Sequence, residues 1–259
     1  MRILILSAAL AAVGMPMWAA DTVDAQAIIQ KFAAKELEFS KARDNYTYRQ
    51  TVKLDELDAS GNATGHNWQL VEDIMFTPDG KRMEKVVYAP VPNLERIQLM
   101  PEDEQDLRNV QPFVLTTPEI PDYIITYQGR EKLDEIGTYK FSVKPKKLVV
   151  GHRYFEGDIW VDDRDLQIVK TFGKGVGELK NGSSKHQAFP RFETYREQID
   201  GKYWFPTYTH ADDVLHFPDG ENVRIRMTVR YQDYKKYEGQ STIHYGGVVD
   251  DKNSPPKKP

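Results

Sequence analysis

The sequence has no cysteine. Such a chain forms no disulfide and no metal–thiolate site, and it offers no thiol for a lipid anchor. It also lacks a Gly/Ser linker, a break in composition and an internal repeat. Length alone therefore allows one large β domain or two small ones, and uninterrupted short turns favour one. Long apolar runs are scarce. The stretch Ile3–Gly14 covers about 12 residues, against roughly 20 for a helix that spans a bilayer. Arg2 precedes it, and Ala19, Ala20 and Asp21 follow. That is the layout of a secretory signal peptide over residues 1–20, with cleavage after Ala19 or Ala20 and retention as an anchor both open. An excess of positive charge is missing too. The formal balance is −4, and removing the leader takes away Arg2 and no acid. This mild acidity argues against a nucleic-acid partner.

Catalytic patterns are equally sparse. Ser, His and Asp occur, but no Gly-x-Ser-x-Gly stands among them. The segment "GKGVGELKNGSSK" lacks the Gly-Lys-Ser/Thr order of a phosphate loop and reads as a hairpin tip. "HADDVLH" gathers His210, Asp212, Asp213 and His216 at a strand end, with no known metal-ligand spacing. "VDDRD", Val161–Asp165, has neither the regular acids nor the glycine of a calcium loop, and Asp is a preferred turn former. No cofactor, no metal and no enzymatic activity are expected.

What is present is alternation. "NYTYRQTVKLDEL" puts Tyr46, Tyr48, Val52 and Leu54 on one face of a strand. "NVRIRMTVRYQDYKKY" sets Val223, Ile225, Met227, Val229 and Tyr231 against Arg224, Arg226, Thr228, Arg230 and Gln232, one face dry and one wet. Between them lie "WQLVEDIMF", "KRMEKVVYA", "YIITYQGREKL", "TYKFSVKP", "HRYFEGDIWVD", "LQIVKTFG", "FETYREQI" and "KYWFPTYTHAD". Turns such as "TPDG" and Asp200-Gly201 join several of them, and "GNATG" is read as another. About ten or eleven antiparallel strands follow, too many to stay flat. The fold class is mainly β (α+β): a large curved antiparallel sheet or a barrel, open or closed.

Two segments are positioned to cover its apolar side. "DTVDAQAIIQKFAAKELEFSKARDN" has no Gly or Pro, and Ala25, Ile28, Ile29, Phe32, Ala33 and Phe39 share one helical face, with Asp24 or Thr22 as cap. Glu36 falls inside that face. It either reaches water from a fraying end or pairs, buried, with an arginine such as Arg49 or Arg82. The second segment, Ala89–Tyr123, holds six prolines. A short helix should start at Pro101, with Leu107 and Val110 on one side and Leu94, Ile97, Leu99 and Phe113 around it. A connection this long and apolar is either a lid or the filler of a barrel end. The polar, proline-rich residues 241–259 read as a disordered tail, leaving 21–240 as the single domain.

"YFEGDIWVDDRDLQIVKTFGK", Tyr154–Lys174, resembles the signature hairpin of bacterial outer-membrane lipoprotein-sorting proteins (LolA/LolB-like). "NYTYRQTV" behind a leader and an amphipathic helix, and "REQIDGKYWFPTYT", resemble the same family, over roughly Ala25 to Tyr237. The resemblance implies an unclosed antiparallel β-barrel with helices as a lid over an apolar cavity. It implies a monomeric periplasmic carrier of lipid or lipoprotein acyl chains, with partners in the inner- or outer-membrane sorting machinery. Relatives of this fold also include envelope-stress sensors that bind lipid or peptide, and that alternative stays open, because this chain is longer and its middle richer in proline. An envelope hydrolase or an integral outer-membrane barrel fits less well. Candidate cavity or lid residues are Ile28, Ile29, Phe32, Tyr48, Val52, Leu94, Ile97, Leu99, Leu107, Val110, Phe113, Ile225, Met227 and Val229, with Glu36 as a candidate buried charge.

Overall fold

The structure, a computed structural model, describes residues 23–77, 79–177, 190–217 and 220–237. The leader, the tail and most of the Gly/Lys-rich hairpin tip lie outside the described residues. Helix α1 (Ala25–Arg43) is capped by Asp24, whose carboxylate accepts the Ala27 N–H at 3.0 Å. Lys41 and Arg43 in its last turn complement the negative end of the helix dipole.

Ten strands follow: β1 (Tyr46–Leu57), β2 (Ala63–Phe76), β3 (Arg82–Tyr88), β4 (Tyr123–Leu133), β5 (Ile136–Pro145), β6 (Tyr154–Asp162), β7 (Ile168–Val176), β8 (Phe192–Gln198), β9 (Trp204–His216) and β10 (Asn222–Lys236). All pair antiparallel in one sheet ordered β3-β2-β1-β10-β9-β8-β7-β6-β5-β4. The first and last strands are neighbours. The sheet does not close: β3 and β4 are its two edges. The connection between those edges, residues 89–122, carries α2 (Pro101–Gln105), a π-helical turn (Asp106–Val110) and a 3-10 turn (Ile120–Asp122).

One face of the sheet is dry. β10 buries Val223, Ile225, Met227, Val229 and Tyr231 and exposes Arg224, Arg226 and Arg230. α1 lies across that dry face. Phe32 meets Phe141 of β5 at 5.4 Å between ring centroids, and Phe39 meets Phe205 of β9 edge-on at 5.2 Å. A flat sheet of ten strands would be about 43 Å wide. Yet one apolar cluster joins Leu54 of β1, Phe32 of α1 and Phe141 of β5, with Tyr127 of β4 packed against it. The sheet therefore curls around its helix.

One boundary differs from the reading of the sequence, and the acidic turn agrees with it. "GNATG" is not a simple turn: β2 begins at Ala63, and Gly65 adopts φ +94°, which a glycine accepts without strain. The pairing shifts register between Asp55 and Leu57, so Glu56 and Leu57 are both buried. The acidic β6–β7 turn is a hairpin. Asp162 Oδ1 accepts the N–H groups of Arg164 (2.8 Å) and Asp165 (2.5 Å), and Asp165 Oδ2 takes the Trp204 indole N–H at 3.1 Å.

Candidate functional site

The connection crosses the dry face from one sheet edge to the other, held by polar pins. At its start the Glu56 carboxylate, buried at the end of β1, accepts three successive backbone N–H groups: Glu95 at 3.1 Å, Arg96 at 2.9 Å and Ile97 at 3.0 Å. Asn93 adds bonds to Asn67 and Gly65, and Arg96 donates to Leu57 O at 3.0 Å, so a loop with no regular structure still has its backbone satisfied there. Further on, Arg108 forks onto Glu84 of β3, with both contacts at 2.7 Å. Asp106 accepts two bonds from Arg153, at 2.8 and 2.6 Å, in a buried pair. Such two-point arginine–carboxylate bonds fix orientation as well as distance. Gly175 of β7 makes room for this pair, because a Cβ there would overlap Asp106 Oδ2 and Arg153 Nη2. The Thr194 hydroxyl donates to Gln111 O at 2.9 Å, and Arg196 donates to Phe113 O.

Arg196 is where both covers meet. Its Nη1 lies 3.2 and 3.0 Å from the two oxygens of Glu36 on α1, and the Ile168 N–H adds a third bond at 2.9 Å. Both side chains are buried, at 1% and 0% exposure. Burial pushes the Glu36 carboxyl above its usual range, against the pull of Arg196 and the Ile168 N–H. Glu36 is thus a buried paired charge and not a snorkelling one. Its partner is neither Arg49, which bonds Asp73 on the outer face, nor Arg82, which bonds Glu84, Tyr48 and Gln50.

Beneath the connection a cleft of about 70 Å3 is lined by Leu54, Trp68, Ile97, Leu99, Leu107, Phe192, Leu215, Phe217, Ile225 and Met227, with Gln98, Asp103, Asp106 and Gln111 among its polar groups. Five of the residues singled out in the sequence meet here: Ile97, Leu99, Leu107, Ile225 and Met227. Ile29, Phe32, Val110 and Phe113 fill the main core beside it, with Ile28 and Leu94 packed against them. Tyr48, Val52 and Val229 belong to a second cluster with Leu107. Leu54 was placed on the dry face by its alternation but not among the cavity candidates. Trp68 and Phe192 were legible by phase, since each stands between polar neighbours, and were not singled out; Leu215, which follows Val214, was not legible in that way. Glu56 and Arg196 were legible likewise, as polar residues in phase with Leu54 and Phe192.

Three of the four polar residues of "HADDVLH" are bonded elsewhere, and His210 stands 3.8 Å from Glu193. Asp212 bonds Arg224 and Arg226, Asp213 accepts the Arg191 N–H, and His216 bonds Asn222. Among the described residues no cluster of three or more His, Cys, Asp or Glu is arranged for a metal, and no helix is long and apolar enough to cross a membrane.

No family model matches the chain, and no curated protein does. Among the solved structures similar to it are the following three. A DUF1329 family protein from Desulfovibrio piger has 15% identity, with 86% of this chain and 97% of that chain covered and a TM-score of 0.44. A putative outer membrane lipoprotein-sorting protein domain from Vibrio parahaemolyticus has 12% identity, 82% and 95% coverage and a TM-score of 0.42. A LolA superfamily protein from Nitrosomonas europaea has 13% identity, 82% and 93% coverage and a TM-score of 0.35. The layout of this chain is an open antiparallel sheet with an N-terminal helix and a long inserted connection between its two edge strands.

Proposed function

We propose that the chain is a periplasmic, non-enzymatic binding protein that takes apolar cargo, lipid or lipoprotein acyl chains, between its sheet and the 89–122 connection. The observation that carries this reading is the lining of the cleft, in which apolar side chains of β1, β2, β8, β9 and β10 face apolar side chains of the connection. Each CH2 buried there is worth about 0.8 kcal/mol. This cleft is narrow in the described form. A cleft of about 70 Å3 is far below the roughly 300–1,000 Å3 of sites for drug-sized ligands. Cargo enters only as the connection lifts, and the space it takes is now filled by the protein's own Leu107, Ile97 and Leu99. A cover held by discrete polar pins suits that movement, because water can replace each pin while the sheet stays intact. The reading of residues 1–20 as a leader supports the compartment.

The test is binding of a fluorescent fatty-acid probe. The wild type should bind it, and Leu107→Asp or Val110→Asp should weaken binding with the β-sheet circular dichroism unchanged, since a carboxylate in an apolar closure costs several kcal/mol to bury. No probe binding by the wild type, or equal affinity in both variants, removes the container reading. A second reading, capture of an extended peptide, has its own observation: β3 is a free edge with Met83, Val86, Val87 and Tyr88 exposed.

A further inference from the structure

We propose that the turn between β5 and β6 is a docking tip for a bilayer surface containing anionic lipid, and that it shares a short segment with one pin of the cover. Leu148, Val149 and Val150 are 42%, 56% and 56% exposed. Single exposed aliphatics are ordinary, but three in succession at a chain reversal are not. The reversal is ordered. His152 N–H donates to Val149 O at 2.9 Å, and Gly151 takes φ +76°, the left-handed value the turn requires. Its base is fixed to the end of the connection, with Lys146 N on Asp122 O at 2.8 Å and Lys146 Nζ on Pro121 O at 2.6 Å. The apolar apex is therefore presented at no further ordering cost.

Charge says what it meets. Lys144 and Lys147 flank the apex, exposed, with no ion-pair partner among the described residues; Asp122 stands at the base, and Glu156 of β6 lines a pocket with Lys144 and Lys174. Ile124, paired across from Lys144, extends the apolar surface at 51% exposure. Aliphatic side chains ahead of lysines suit the boundary between acyl chains and phosphates. A protein partner fits less well. A stable protein interface buries about 1,200–2,000 Å2 and centres on aromatic or arginine anchors, and the apex has neither.

Three residues beyond Val150, Arg153 holds Asp106 of the connection. Displacement of the tip at a membrane thus pulls on a pin of the cover. This coupling rests on the container reading, whereas the docking does not.

The absence of cysteine makes the test site-specific. Full-length protein carrying Val149→Cys, labelled with an environment-sensitive fluorophore, is titrated with phosphatidylethanolamine–phosphatidylglycerol vesicles. The apolar N-terminal segment is common to every sample, so differences between label sites and variants report the tip. A blue shift and intensity gain are expected at 149 and none for a label at Lys132→Cys. Lys144→Glu with Lys147→Glu, or Val150→Asp, should raise the half-saturating lipid concentration at least tenfold, with melting temperatures unchanged. Phosphatidylcholine vesicles should need at least tenfold more lipid. A silent label at 149, equal titrations for the variants, equal titrations for neutral lipid, or a response that follows protein concentration without vesicles overturns the proposal, the last by pointing to a second copy. The same samples are assayed with the fatty-acid probe. Loss of probe binding with vesicle response intact sinks the container reading and leaves the docking tip.

Discussion

Arg196 on β8 and Glu36 on α1, 160 residues apart, form a buried ion pair in which one guanidinium nitrogen touches both carboxylate oxygens, at 3.2 and 3.0 Å. The same arginine donates to Phe113 O in the connection and lies over the Phe39 ring at 5.2 Å. Both covers of the dry face are therefore fastened to one side chain of the sheet.

Arg196→Met should cost about 3–5 kcal/mol, as removal of one partner from a buried pair does. Glu36 is then buried with only the Ile168 N–H, and its already raised pKa rises further. A carboxyl titrating higher in the folded than in the unfolded state stabilises below the ordinary glutamate range, and that stability is lost as pH rises through the folded value. The variant should therefore melt closer to the wild type at acid pH than at neutral pH. The double variant Glu36→Leu/Arg196→Met should cost less than the two single changes together. Thermal melts of all four proteins across pH check this.

Glu56→Ala leaves three backbone N–H groups of the connection without their acceptor. The expected loss is about 1–3 kcal/mol, confined to the start of the connection. Hydrogen exchange at residues 94–99 should quicken while β9 and β10 keep their protection. Unchanged exchange at 94–99 would show that packing of Ile97 and Leu99 suffices.

Gly175→Ala drives a methyl group into the Asp106–Arg153 pair. Overpacking of this kind costs about 1–3 kcal/mol. If the pair pins the cover, exchange at 104–111 should rise and the fatty-acid probe should enter faster. A variant with lower stability but unaltered probe kinetics would argue that the pin is structural only.

The Glu84–Arg108 pin carries a pH signature. Burial raises the Glu84 carboxyl, but its bonds to Arg108 and Arg82 outweigh that and leave it below its usual value. Its contribution is present above the ordinary glutamate range and is lost as pH falls through the lower folded value. Neighbouring Glu72 is shifted the other way, by burial and by the charge of Glu84. On acidification Glu72 takes its proton first, which relieves repulsion without breaking the pin. Exchange at 106–110 should therefore hold steady through mildly acidic pH and rise only below the glutamate range. An increase already at pH 6 would contradict this order.

Nearly all the strands were legible, because a period of two with one dry face leaves a strong pattern, as in β10. The face of α1 was legible for the same reason, through Ile29, Phe32, Ala33 and Phe39. The partner of Glu36 was not, since no local pattern links position 36 to position 196; only the phase of Arg196 with Phe192 marks it as inward. The π turn at Asp106–Val110 was hidden too, because its Leu107–Val110 spacing also fits an α-helix. The alternation that found the strands cannot say whether the ends of a sheet join, so open and closed forms looked alike until β3 and β4 were seen as edges.

The pairing of β1 with β10, from Tyr46↔Lys236 to Leu57↔Arg224, sets the kinetics of the molecule. This seam, three strands in from the β3 edge, joins the first described strand to the last, so it cannot form until β10 is available. Contacts of such separation fold slowly, because loop closure precedes any gain. Until then β1 and β9 each present a raw hydrogen-bonding edge. A newly made chain therefore remains open, and in need of protection from its own copies, until β10 arrives.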